Sequence, residues 1–70
     1  MPHYYFHIDG KTSHRDANGE DFDDDQKAWS AAIRLMREFE SHLVPGEEWR
    51  VEVVRDQTPI YLISVWSRQF

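Results

Sequence analysis

Residues Asp24 to Leu43, DDQKAWSAAIRLMREFESHL, form the one stretch of this 70-residue chain with helical periodicity, and the rest of the fold is read outward from it. Ala28, Trp29, Ala32, Ile33, Leu35, Met36, Phe39 and Leu43 recur at spacings of three and four, which sets them on one broad stripe of a helix. The opposite stripe, Lys27, Ser30, Arg34, Arg37, Glu38 and Ser41, is polar. Asp23 or Asp24 can cap the free amides of the first turn, and their charge suits the positive end of the helix dipole. Pro45-Gly46 marks the far end, because proline cannot continue the helix and disfavours helical geometry in the residue before it. About 20 residues rising about 1.5 Å each give a rod of roughly 30 Å, enough to cross a four-stranded sheet.

Alternation takes over on both sides of this helix. In His3-Tyr4-Tyr5-Phe6-His7-Ile8, Tyr4, Phe6 and Ile8 point one way and His3, Tyr5 and His7 the other, so the run is predicted as the first strand. Asp9-Gly10 signals a hairpin, and the polar segment Lys11 to Asp16 is predicted as a second strand at a solvent-facing edge. Asn18-Gly19 turns the chain again, and Phe22 is placed to staple the helix start. Beyond the helix, Trp49-Arg50-Val51-Glu52-Val53 alternates strictly. Asp56 to Pro59 makes a turn, and Ile60 to Trp66 forms a last, nearly wholly apolar strand.

The pattern predicts a single α+β domain over residues 1–70: β-β-α-β-β, with a four-stranded, mainly antiparallel sheet and one helix packed on one face. Its expected core is Tyr4, Phe6, Ile8, Ala28, Ala32, Leu35, Met36, Phe39, Leu43, Val51 and Val53, with Trp29 and Trp49 at the margins. The order of strands across the sheet is left open by the sequence.

Composition narrows the function. With no cysteine, neither a disulfide nor a thiolate zinc site supports this small core. No apolar run reaches the roughly 18 residues of a membrane helix, and MPHYYFHID lacks the features of a signal peptide, so the expected location is cytoplasmic, without membrane association. A net charge of −5, from 13 acidic and 8 basic side chains, argues against a nucleic-acid partner.

Candidate chemistry is sparse. His3 and His7, four apart on a strand, start roughly 13 Å from one another, too far for one metal ion. His7 and His14 face each other only if the first hairpin has a loop of about four residues. The acidic run Glu20-Asp21-Phe22-Asp23-Asp24-Asp25 lacks calcium-loop spacing: counted from Asp16, the glycine and glutamate positions hold Asp21 and Lys27. A solvated helix cap explains the same residues. There is no nucleophile elbow and no phosphate-cradling glycine loop. No catalytic residue, metal, cofactor or small-molecule ligand is therefore expected, and the chain is not read as an enzyme.

The opening M-P-x-Y-Y-F-H, the following D-G and D-x-x-G, the acidic link, the helix with Ala28, Ala31 and Ala32, and the W-R-V-E-V strand together resemble a known family. It comprises short alphaproteobacterial proteins catalogued as domain-of-unknown-function family 6894, and Pro2, Tyr4, Phe6, Asp9, Gly10, Asp16, Gly19, Trp49 and Val53 carry the likeness. The resemblance covers nearly the whole chain and implies no catalytic residues. A looser similarity of architecture links it to HicB-like antitoxins, which implies a regulatory or antitoxin domain as the alternative to an interaction module; a small enzyme ranks below both.

The leading expectation is association through the face of the sheet that the helix leaves bare. In the last strand both alternate sets are apolar, Ile60, Leu62 and Trp66 on one side and Tyr61, Ile63 and Val65 on the other. If the turn pairs Arg55 with Ile60, then Tyr61, Ile63 and Val65 join Val54, His3, Tyr5 and His7 on the outer face. If the register slips by one, Ile60, Leu62 and Trp66 take their place. Either set makes an apolar patch that suits a homodimer or an unidentified protein partner. The bland alternative is a central last strand, with the tail ending in Phe70 folded over that face.

Overall fold

The computed structural model describes residues 2–11 and 13–70; Met1, which opens the quoted motif, and Thr12, in the expected second strand, lie outside the described residues. In chain order the elements are β1 (His3–Asp9), β2 (Glu20–Asp21), α1 (Asp25–Glu40), β3 (Glu48–Arg55) and β4 (Thr58–Trp66). The strands form one four-stranded sheet in the order β2-β1-β3-β4, antiparallel throughout, with α1 against one face: an α+β fold. The two alternating runs, β1 and β3, pair at the centre although the helix separates them in sequence. Phe6 lies opposite Val53 and Ile8 opposite Val51. β4 is an edge strand, not a central one.

The helix begins as its sequence dictates. The Asp24 carboxylate accepts the Lys27 amide at 2.9 Å, and Asp25 adds negative charge in the first turn. It stops at Glu40, three residues short of the expected Leu43. The amides of His42 and Leu43 donate to the carbonyls of Phe39 and Glu40, a tightened final turn, and Pro45 keeps Val44 from continuing the helix. Leu43 therefore lies in the turn, half-buried, outside the core cluster.

Tyr4, Ala28, Ala32, Met36, Val51 and Val53 are buried. The small side chains of Ala28 and Ala32 let the helix backbone come close to the sheet, and Phe6, Ile8, Phe22, Leu35 and Phe39 fill in around them. At the margins Trp49 stacks on Phe39, ring centres 4.9 Å apart, and Trp29 meets Tyr61 edge-on at 5.0 Å. Phe22 sets its ring against Tyr4 and Phe6, so it ties the helix entry to β1. Truncating Met36 to alanine is expected to cost about 2–5 kcal/mol, and Phe39→Ala, whose ring is only half-buried, roughly 1–3 kcal/mol. Urea melts of the two variants test this; the opposite ranking would displace the core toward the helix C-terminus.

The expected second strand, Lys11 to Asp16, is corrected. Among the described residues of that segment only His14 pairs, exchanging backbone hydrogen bonds of 2.8 and 2.9 Å with Ile8, because a stretch so poor in apolar residues has nothing to bury against the sheet. The chain leaves β1 through Gly10, where a Cβ would stand 2.2 Å from the Trp49 ring. β2 comes later, at Glu20–Asp21, opposite His3 and Tyr4. Asp16 holds the intervening segment in place. One carboxylate oxygen accepts the amides of Asn18 and Gly19, and the other accepts the Phe6 amide at 3.2 Å. Burial pushes the Asp16 carboxyl up, but these three amides outweigh it and hold it below the usual carboxylate range. Segment 13–21 thus runs along β1 as a strap that closes that edge of the sheet.

Candidate interaction face

On β1 the odd residues point away from the helix, as their alternation predicts. His3 and Tyr5 meet edge-on with ring centres 5.0 Å apart, and Tyr5 and His7 stack at 6.3 Å. Val54, opposite Tyr5, extends this row onto β3. His3, Tyr5, His7 and Val54 therefore share the outer face. Two of them are engaged in holding the strap. His7 Nδ1 accepts the Asp16 amide at 3.1 Å. The His3 ring lies between the Asp21 carboxylate and the Asn18 carbonyl, each 2.6 Å away, and these acceptors, the carboxylate first, raise its pKa above the ordinary histidine value.

Tyr61, Ile63 and Val65 do not join them. They pair with Val53, Val51 and Trp49 and pack beneath the helix, which corrects their placement on the outer face. Two local features set this register. Arg55 pairs with Thr58 across the short turn Asp56-Gln57, where Asp56 adopts φ +55°, a left-handed conformation that aspartate tolerates. That turn alone would leave Tyr61 outward. Between Pro59, opposite Val54, and Tyr61, opposite Val53, Ile60 is an extra residue, and this bulge rotates the strand by one position. Ile60 packs against the core, whereas Leu62 and Trp66 turn outward.

The outer face consequently has a different centre from the one expected. Leu62 is 64 % exposed and Trp66 61 %, on a strand with no charged residue. Beyond it, the Arg68 guanidinium lies 5.8 Å from the ring centres of both Trp66 and Phe70. Ser67 fixes this end by accepting the Gly46 amide and donating to the Val44 carbonyl. Phe70 stays fully exposed rather than covering the face. The apolar run made β4 conspicuous in the sequence, but a single bulge decided which half of it faces outward.

At the opposite end of the sheet Asp25 joins three elements, accepting the Tyr4 hydroxyl and the Arg55 guanidinium at 2.6 Å each. Burial and then the Asp25 carboxylate push the Tyr4 phenol up to about 12, while the Tyr4 hydroxyl and then Arg55 hold the Asp25 carboxyl down. These contacts fasten the helix start to β1 and β3. His14 pairs with Ile8 and so lies out of register with His7. Among the described residues no three His, Cys, Asp or Glu side chains converge in a metal-binding group, and no helix is long and apolar enough to cross a membrane.

No curated protein and no solved structure matches the chain. The profile of the family described as domain of unknown function DUF6894 matches residues 3–65, from the first residue of β1 to the penultimate residue of β4. With nine-tenths of its length inside that match, the chain belongs to the DUF6894 family.

Proposed function

We propose that the domain is a non-catalytic protein-interaction module that works by self-association or by holding one protein partner against the outer side of β4. The observation that carries this reading is the exposure of Leu62 and Trp66, four residues apart on the same face of one uncharged strand. Transfer of a leucine-sized side chain out of water contributes about 1.5–3 kcal/mol, so two such anchors on one face favour a contact that buries both. Tyr5 and Val54 lie on the same face one row further toward the turn, opposite Pro59. On β3, Glu52 lies opposite Leu62, Arg50 opposite Ser64 and Glu48 opposite Trp66, so charge of both signs borders the pair, as in the polar rim of an interface.

Leu62→Glu and Trp66→Glu test the reading, since both change exposed side chains and leave the core intact. Sedimentation of the unmodified protein at micromolar to submillimolar concentration is expected to show an associated species that both variants lose while keeping the same melting temperature. A protein that stays monomeric over that range, and that retains from its host lysate nothing which the two variants fail to retain, would overturn the proposal.

A further inference from the structure

We infer that the partner is a second copy of this chain, paired antiparallel edge to edge along β4 with Ser64 on the twofold axis, so that two sheets become one of eight strands. This rests on the interaction reading above and specifies its occupant and geometry. The starting point is the direction of the backbone groups. Ile8 gives its N–H and C=O to His14 and Phe6 gives its N–H to Asp16, so the even residues of β1 face the strap and the odd ones face β3. Carrying this alternation through the registers of β1 with β3 and of β3 with β4 makes Tyr61, Ile63 and Val65 the residues bonded to β3. The Ser67 amide, which donates to the Glu47 carbonyl, continues the same parity. Leu62, Ser64 and Trp66 therefore direct their amides and carbonyls out of the sheet, where the strand order places no neighbour among the described residues.

Such an edge accepts any extended strand; side chains and charge select a copy of itself. In antiparallel pairing, residues that face outward must lie opposite residues that face outward. Centring the pair on Ser64 sets Leu62 of each copy against Trp66 of the other, so the two exposed apolar side chains of the strand cover each other twice. On the helix side the same register sets Ile63 against Val65. Shifting by one residue toward the turn would place Trp66 opposite Ile60, where the bulge interrupts the pairing, and shifting toward the C-terminus would place Leu62 opposite Arg68. Charge points the same way. The chain carries −5 overall, and β4 is the one strand of the four without an acidic or basic side chain, so two copies meet there without opposing like charges.

The absence of cysteine makes a direct test available. In this register the two Ser64 Cα atoms are about 5.5 Å apart, within disulfide reach. Ser64→Cys is expected to form a covalent dimer under mild oxidation, whereas Ser30→Cys, on the polar side of the helix, is not. Ser64→Pro removes an outward amide without touching the bonds to β3, and is expected to weaken the dimer by about tenfold or more while circular dichroism stays unchanged. A dimer that Leu62→Glu dissociates, but that Ser64→Cys does not cross-link and Ser64→Pro does not weaken, would be a face-to-face stack; it would overturn the edge pairing and leave the interaction reading standing. A monomer that captures a different protein through Leu62 and Trp66 would likewise overturn this inference alone. A monomer that captures nothing would overturn both.

Discussion

A Tyr4→Ala variant is expected to show no cooperative unfolding transition and the circular dichroism of an unfolded chain. Tyr4 is the largest wholly buried side chain, with its ring edge-on to Phe22 and its hydroxyl on Asp25. It stands where β1 is flanked by Glu20 of β2 and Arg55 of β3, so the cavity left by truncation opens beneath three elements at once. A 70-residue domain has a stability of only a few kcal/mol to set against such a loss. Tyr4→Phe keeps the ring and removes only the hydroxyl, while Arg55 stays on Asp25; this variant is expected to fold, with a lowered melting temperature. The phenol also sets a pH dependence. A group raised in the folded state from about 10 to about 12 contributes stability that is complete below the lower value and is lost as pH rises through the higher. The difference between the unmodified protein and Tyr4→Phe should therefore narrow between about pH 10 and pH 12. A Tyr4→Ala protein with an unchanged melting curve would show that the centre of the core lies elsewhere.

Gly19→Val is expected to be nearly as damaging. Gly19 adopts φ +66°, and a Cβ there would lie 2.6 Å from the Tyr4 carbonyl oxygen and 2.6 Å from His3 Nε2. The carbonyl cannot retreat without disturbing β1, and the Gly19 amide is itself held by Asp16 at 3.0 Å. Left-handed geometry costs an ordinary residue about 1–2 kcal/mol, a β-branched one more, and the collision brings the expected total to about 3 kcal/mol or above. Gly46→Ala supplies the comparison, because Gly46 has φ +88° with open space around it and should cost only the conformational part. Guanidinium melts of both variants check the difference; equal losses would mean that the strap does not press on Tyr4.

The helix could be read from sequence because its spacing, its Asp24 cap and its Pro45 stop agree with one another. β1 and β3 could be read for the same kind of reason: alternation marks both the strand and the face of each residue. β2 could not. Glu20 and Asp21 carry no apolar pattern, and they reach the sheet because Asp16 binds amides three residues ahead and ten residues behind itself, a contact that no local spacing announces. The placement of Tyr61, Ile63 and Val65 failed for a different reason. With both alternate sets of β4 apolar, hydrophobicity did not distinguish its faces, and the choice passed to a bulge at Ile60. Placement was therefore half legible: His3, Tyr5, His7 and Val54 fall on the outer face as read, and the two sets of β4 are exchanged.

The strap has a consequence for how large any assembly can grow. A sheet with two bare margins behaves like a bifunctional monomer in polymer chemistry, since each addition exposes a fresh reactive end. Here one margin is occupied by the Asp16 carboxylate on the Phe6 amide, the bridge at His14 and a two-residue acidic strand, all supplied by the chain itself. If two copies pair along β4 as inferred above, the domain is monofunctional: that one coupling uses its open margin and terminates growth at the dimer.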